Sequence, residues 1–181
     1  MMKQRRAFAV VTLVALFAAM DCCKLFAADG METAGDVLQF VLPATAAGLT
    51  LAYHDGAGAL ELGESLAVTL GITLALKYSI NEHRPNGGGE SFPSGHTSIS
   101  FSAAEFTRKR YGWKYGVPMY VAASFVGYSR VESGEHYTHD VIAGAGIGIL
   151  SSYIFGSPYK GWNASAEGDT KSFAFKVSRA F

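Results

Sequence analysis

Charge-free and polar stretches alternate along the chain in blocks of helical length. The first block runs from Ala7 to Met20 without a charge, preceded by Lys3, Arg5 and Arg6 and ended by Asp21. A basic start followed by an apolar stretch of this length predicts a secretory signal peptide, with an uncleaved first membrane helix as the alternative. Five further helices are predicted, over 36–53, 62–80, 94–110, 117–128 and 139–155. His54-Asp55-Gly56 closes the first of them. The second stops at Asn81, shortly before Arg84-Pro85, because proline disfavours helix in the residue before it. A glycine-rich loop, Asn86 to Glu90, leads through Ser91-Phe92-Pro93 into the third. Strand signals are weak across these five helices. Only in the tail do Phe173, Phe175, Val177 and Phe181 follow a period of two, interrupted by Arg179, which reads as a short strand or an amphipathic tail. The expectation is an all-α bundle of five to six helices. Residues 1–28 form the leader or first helix, 29–158 the bundle and 159–181 the tail.

Composition leaves the solvent of this bundle open. The chain is 49% hydrophobic and 17% charged, richer in apolar residues than an average soluble domain but not made of membrane spans alone. The apolar stretches reach about 12 to 18 residues against the roughly 20 of a comfortable span, and Glu64, Lys77 and Glu105 interrupt them. The placement of charge favours a bilayer. With the basic N-terminus inside, the segment from Arg108-Lys109-Arg110 to Lys114 and the lysine-bearing tail also fall inside. Trp113 and Tyr115 beside that segment are expected as interfacial anchors. Gly144 and Gly148, with Ala143 and Ala145, offer a small-residue face for close helix packing. We therefore expect a membrane-embedded bundle. Net charge is zero, so no basic footprint for nucleic acid exists. The two cysteines, Cys22 and Cys23, are adjacent and provide neither a disulfide framework nor a zinc site.

The chemistry is concentrated in three short stretches. Lys77 and Arg84 are seven positions apart, close to two helical turns, so both cations can project from one side of a helix end. Pro93-Ser94-Gly95-His96 is a turn feeding a helix N-terminus. Free backbone N–H groups make an anion site there, Gly95 permits close approach, Ser94 adds a hydroxyl and His96 a proton carrier. In the third stretch, Ser129-Arg130 is followed by His136 and Asp140. Their spacing of four would stack the imidazole and the carboxylate on one helix face, fixing the tautomer and leaving the other ring nitrogen free as a nucleophile. Taken together, three cations, two histidines and a backbone donor nest make an inventory for phosphoryl transfer. His54 and His83 are read as loop histidines, His139 as a neighbour of Asp140 in sequence only, and Glu132 and Glu135 as rim residues.

Lys-x6-Arg-Pro, Pro-Ser-Gly-His and Ser-Arg-x5-His-x3-Asp, present in this order, resemble the three signature motifs of the type-2 phosphatidic acid phosphatase and vanadium haloperoxidase superfamily. The resemblance runs from about Lys77 to about Phe155. It implies an α-helical bundle, with six membrane helices in the lipid-phosphatase branch, and a reaction that needs neither metal nor cofactor. Residue by residue, Lys77, Arg84 and Arg130 would hold the phosphate oxygens, helped by Ser94 and the Gly95 backbone. His136 would attack phosphorus, Asp140 would orient it, and His96 would protonate the leaving oxygen. The implied substrate is a phosphorylated lipid or another small phosphate ester. The implied place is the bacterial inner membrane with the site facing the periplasm. Alternatives are a soluble periplasmic acid phosphatase, a vanadate-dependent haloperoxidase and a non-catalytic lipid-phosphate binder.

Overall fold

A computed structural model describes residues 28–159 and two strands beyond them, at 162–169 and 172–179. The expected leader or first helix lies outside the described residues. Among the described residues there are five helices: α1 (Ala28–Tyr53), α2 (Gly56–Ser79), α3 (Gly95–Tyr111), α4 (Trp113–Glu132) and α5 (Thr138–Phe155). Each expected helix is found, and the bundle is all-α. Three helices outrun their apolar periodicity, α2 among them, since it begins at Gly56, six residues before Leu62. α1 begins eight residues before Asp36, and α4 reaches Glu132, carrying Arg130 inside its last turn. In the tail, Trp162–Asp169 pairs antiparallel with Ser172–Arg179, Trp162 opposite Arg179. The second strand falls on the period-two stretch that reads as a short strand or an amphipathic tail, whereas the first gave no such signal.

α3 is the axis of the bundle and packs against all four other helices. It is also a polar helix, burying Ser98, Ser100, Ser102, Glu105, Thr107 and Arg110. These groups are tolerated because most are satisfied within the bundle: Thr107 Oγ1 donates to Ala103 O, and Ser102 Oγ meets Ser152 Oγ on α5 at 2.9 Å. α5 reaches α3 through its small face. A Cβ at Gly144 would lie 2.5 Å from Ser94 O, and one at Gly148 would lie 2.2 Å from Ser98 O, so backbone meets backbone there. Leu42, Ala46, Leu62, Ala103, Phe106, Met119, Ala123 and Val126 fill the apolar core.

The outer surface reverses the usual order. α2 turns Ser65, Thr69 and Thr73 inward at helical spacing, and Leu60, Leu70, Ile72 and Leu74 outward. Phe40, Leu51, Leu60, Val121, Ile142 and Ile154, from four helices, are each 66–75% exposed. By length and composition, Gly30–Tyr53 and Gly56–Ser79 could each cross a membrane.

The end of the bundle opposite the signature motifs is locked by charge. Arg110, near the last turn of α3, donates through Nε and Nη2 to Asp55 at 2.7 and 2.6 Å, and through Nη1 to Glu61 and Ser157. Asp55 also caps α2, accepting the Gly58 N–H at 2.9 Å. Arg110 is thus a buried structural cation rather than part of an exposed basic loop. Tyr115, expected as an interfacial anchor, is buried against Tyr53 with the two hydroxyls 3.0 Å apart, while Trp113 is exposed.

Candidate active site

Alternating helix direction brings the C-terminal ends of α2 and α4, the N-terminal ends of α3 and α5 and the loop 80–94 to one end of the bundle. That end holds all three sequence stretches. The expected pairing of His136 with Asp140 is present. Nδ1 of His136 lies 3.4 Å from Asp140 Oδ2 and 3.3 Å from the Ser91 hydroxyl oxygen, and that hydroxyl donates to the same Oδ2. The Tyr137 N–H, at the start of α5, donates to Oδ2 at 2.9 Å. Asp140 is fully buried and His136 is 3% exposed. The ring is therefore held from its Nδ1 side, and among the described residues no group hydrogen-bonds Nε2. Burial lowers the basicity of His136, the nearby Arg84 and Lys77 lower it further, and Asp140 offsets only part; the result is a pKa of about 4. The imidazole is neutral at ordinary pH, the state in which its free nitrogen carries a lone pair.

The cations close around this pair. Lys77 Nζ donates to the Glu90 and Ser91 carbonyls at 3.0 and 3.2 Å, tying the end of α2 to the loop that carries Ser91. Arg84 pairs through Nη1 with the carboxylate of Glu135, which also accepts from Asn86 Nδ2 at 2.8 Å. Arg130 is 3% exposed, and its carbonyl accepts the N–H groups of both Glu135 and His136. The residue that offers a guanidinium thus also fixes the backbone of the neighbouring imidazole.

Ser94 is the N-cap of α3, where its oxygen accepts from the Thr97 N–H and hydroxyl. Its own N–H donates to Asp140 O at 3.1 Å, which pins α3 to α5. Gly95 and His96 open the helix, so their N–H groups have no intrahelical acceptor and are available to an anion. His96 Nε2 lies 3.0 Å from Asp36 Oδ1 on α1. Burial and then Arg130 hold its pKa below the usual imidazole value, with Asp36 acting against them.

Three residues lay beyond the sequence reading, and Glu135, read there as a rim residue, pairs with one of the site's cations. Ser91 has no role in the sequence reading beyond the stretch that leads into α3, although it sits two positions before Pro93 and three before Ser94. Asp36 and Glu135 contact the site's arginines through long-range pairings that no local spacing encodes. His139 touches Asp140 in space as well as in sequence: its Nε2 is 3.2 Å from Asp140 Oδ1 and 2.8 Å from Glu82 Oε1.

Comparison with known proteins gives the same direction. The PAP2 superfamily profile matches residues 58–160. The chain is 35% identical over 142 residues to the lipid A 4'-phosphatase of Helicobacter pylori, spanning 72% of this chain and 71% of that protein. It is 34% identical over 139 residues to the lipid A 1-phosphatase of Porphyromonas gingivalis, covering 67% of this chain but only 31% of that longer protein. The crystal structure of Aquifex aeolicus LpxE shares the fold, with a TM-score of 0.53 at 24% identity over 66% of this chain and 84% of that one. With signature motifs, fold and relatives in agreement, the chain belongs to the PAP2 superfamily and is one of its phosphoric ester hydrolases.

Proposed function

We propose that the protein removes phosphate from a membrane lipid through a phosphohistidine formed on His136, without a metal ion. The observation that carries this reading is the asymmetry of the His136 ring: Nδ1 is occupied by Asp140 and Ser91, and Nε2 has no partner among the described residues. In the first step the Nε2 lone pair attacks phosphorus. The bond from phosphorus to the leaving oxygen breaks, and that oxygen takes a proton from His96. In the second step a water attacks phosphorus, returns a proton to His96 and releases inorganic phosphate and neutral His136. Lys77, Arg84 and Arg130, with the N–H groups at the start of α3, neutralise the charge on the phosphoryl oxygens. Three fixed cations supply what a metal ion supplies in other phosphatases.

The lipid part of the reading rests on the inverted surface of the bundle and on the relatives. An apolar belt drawn from four helices around a serine- and threonine-rich interior suits lipid tails as solvent. With the basic α3–α4 junction on the cytoplasmic side, the site faces the periplasm of a bacterial inner membrane. Relatives acting at the 1- and the 4'-phosphate make lipid A phosphates the first substrates to try, followed by phosphatidic acid and undecaprenyl diphosphate.

The test is phosphate release by detergent-purified protein in chelator, with His136→Ala alongside and a soluble aryl phosphate as control. Turnover of a lipid substrate that survives chelation and disappears in the variant is the expected result. Activity that needs an added divalent cation, or that persists in His136→Ala, would overturn the mechanism. A marked preference for the aryl phosphate would overturn the lipid assignment.

A further inference from the structure

Asp36 has no role in the scheme above, yet one of its oxygens serves two site residues. Oδ1 lies 3.0 Å from His96 Nε2 and accepts the Arg130 Nη1–H at 2.7 Å. Arg130 Nη2 donates to the Glu32 carbonyl at 2.6 Å, one turn earlier on α1, so this helix grips the guanidinium at two points. The close approach depends on Gly35. A Cβ there would lie 2.1 Å from Ser129 Oγ and 2.7 Å from Arg130 Nη2, and would force α1 away from α4. The Asp36 side chain is 46% exposed while Arg130 is 3% exposed, so the carboxylate stands at the mouth of the site and the guanidinium behind it.

We propose that Asp36 is the positioning residue of the proton donor: it holds His96 by Nε2, presents Nδ1 to the leaving oxygen, and aligns Arg130 with the same carboxylate. This rests on the reading of His96 as the donor. In the transfer step both ring nitrogens begin protonated. As the phosphorus–oxygen bond breaks, its electron pair takes the Nδ1 proton, the positive charge leaves the ring, and Nε2–H remains on Asp36. The carboxylate favours the charged ring before transfer and fixes the tautomer after it. The charged groups around His96 explain why such help is needed. Arg130 from α4 and Arg84 from the loop, together with burial, favour the neutral ring, and Asp36 from α1 is the counterweight.

The experiment compares two soluble substrates that differ in leaving group, an alkyl phosphate and dinitrophenyl phosphate, in wild type, Asp36→Asn, Asp36→Glu and His96→Ala. Dinitrophenolate leaves without a proton, whereas an alkoxide needs one. In Asp36→Asn the fall in kcat/KM on the alkyl substrate should exceed that on dinitrophenyl phosphate by about 30-fold or more, because kcat/KM reads the step in which the leaving group departs. The alkaline limb of kcat/KM should move to lower pH. His96→Ala should show the same leaving-group dependence, and Asp36→Glu, which keeps the charge, should hold the limb near its wild-type place. Equal losses on both substrates would reduce Asp36 to a structural contact and sink the proposal. So would wild-type turnover of the alkyl substrate with tighter phosphate inhibition, because the carboxylate would then be only a placeholder for the anion. A His96→Ala variant without leaving-group dependence would sink the donor assignment itself, separately from anything Asp36 does.

Discussion

Arg84 is paired with the carboxylate of Glu135, the residue directly before His136. The guanidinium expected to grip phosphate is thus already compensated, and an incoming phosphate must share it or displace the carboxylate. Glu135→Gln removes the competing charge while keeping the shape and the hydrogen bond to Asn86. Inhibition by inorganic phosphate should tighten by roughly 3- to 10-fold, as expected for one partly exposed ion pair. An unchanged inhibition constant would mean that Arg84 does not exchange Glu135 for phosphate.

Activity should be confined to a window on the acid side of neutrality. His136 must be neutral to attack, and its pKa of about 4 sets the rising limb. His96 must be protonated to donate, and its depressed pKa sets the falling limb below the ordinary imidazole value of about 6.5. Both limbs belong to the free enzyme and are therefore read in kcat/KM. A profile flat from about pH 4 to 9 would remove both histidines from these roles.

Ser91 should matter more than a turn residue does. Its hydroxyl joins His136 Nδ1 to Asp140, and the carboxylate it serves is fully buried. Ser91→Ala leaves that charge short of one donor, at a cost of about 1–3 kcal/mol. We expect kcat to fall by about 10-fold or more with KM little changed, because the loss is in orientation of the nucleophile and not in grip on the substrate. Equal loss in Asp140→Asn and in the double variant would show that serine and carboxylate act as one unit.

The far end of the bundle should carry stability without activity. Burial alone would raise the Asp55 carboxyl, but hydrogen bonds from Arg110, Gly58 and Tyr111 hold it below its usual value. Asp55→Ala leaves Arg110 buried with only part of its compensation and uncaps α2. The loss should be about 3–5 kcal/mol, seen as a lower unfolding temperature in detergent. Below that temperature, turnover per folded molecule should match wild type.

The site and its supports were legible to different degrees. Lys77, Arg84, Ser94, Gly95, His96, Arg130, His136 and Asp140 were readable because each lies in a short motif with a local meaning, although two helical spacings expected there are not those of the structure: Arg84 lies in the loop beyond the end of α2 at Ser79, and His136 precedes the first turn of α5. The five helices were readable for the same reason. Their ends were less so: the first turns of α1, with Gly30 and Gly35, carry little apolar periodicity and are held as helix by contact with α4. Asp36 and Ser91 were not read as site residues and Glu135 only as part of the rim, because which carboxylate meets which cation depends on how α1, the loop 80–94 and the α4–α5 turn pack together.

Sequence by itself therefore singled out the candidate site residues and the helices around them, since periodicity and short motifs act within a few residues along the chain. The tertiary structure alone decided the company those groups keep. Asp36 is 60 positions from His96 and 94 from Arg130, and Glu135 is 51 from Arg84. Contacts over such separations are set by helix packing, where the approach of Gly35 to the Ser129 and Arg130 side chains and the backbone-to-backbone approach at Gly144 and Gly148 fix which side chains face one another.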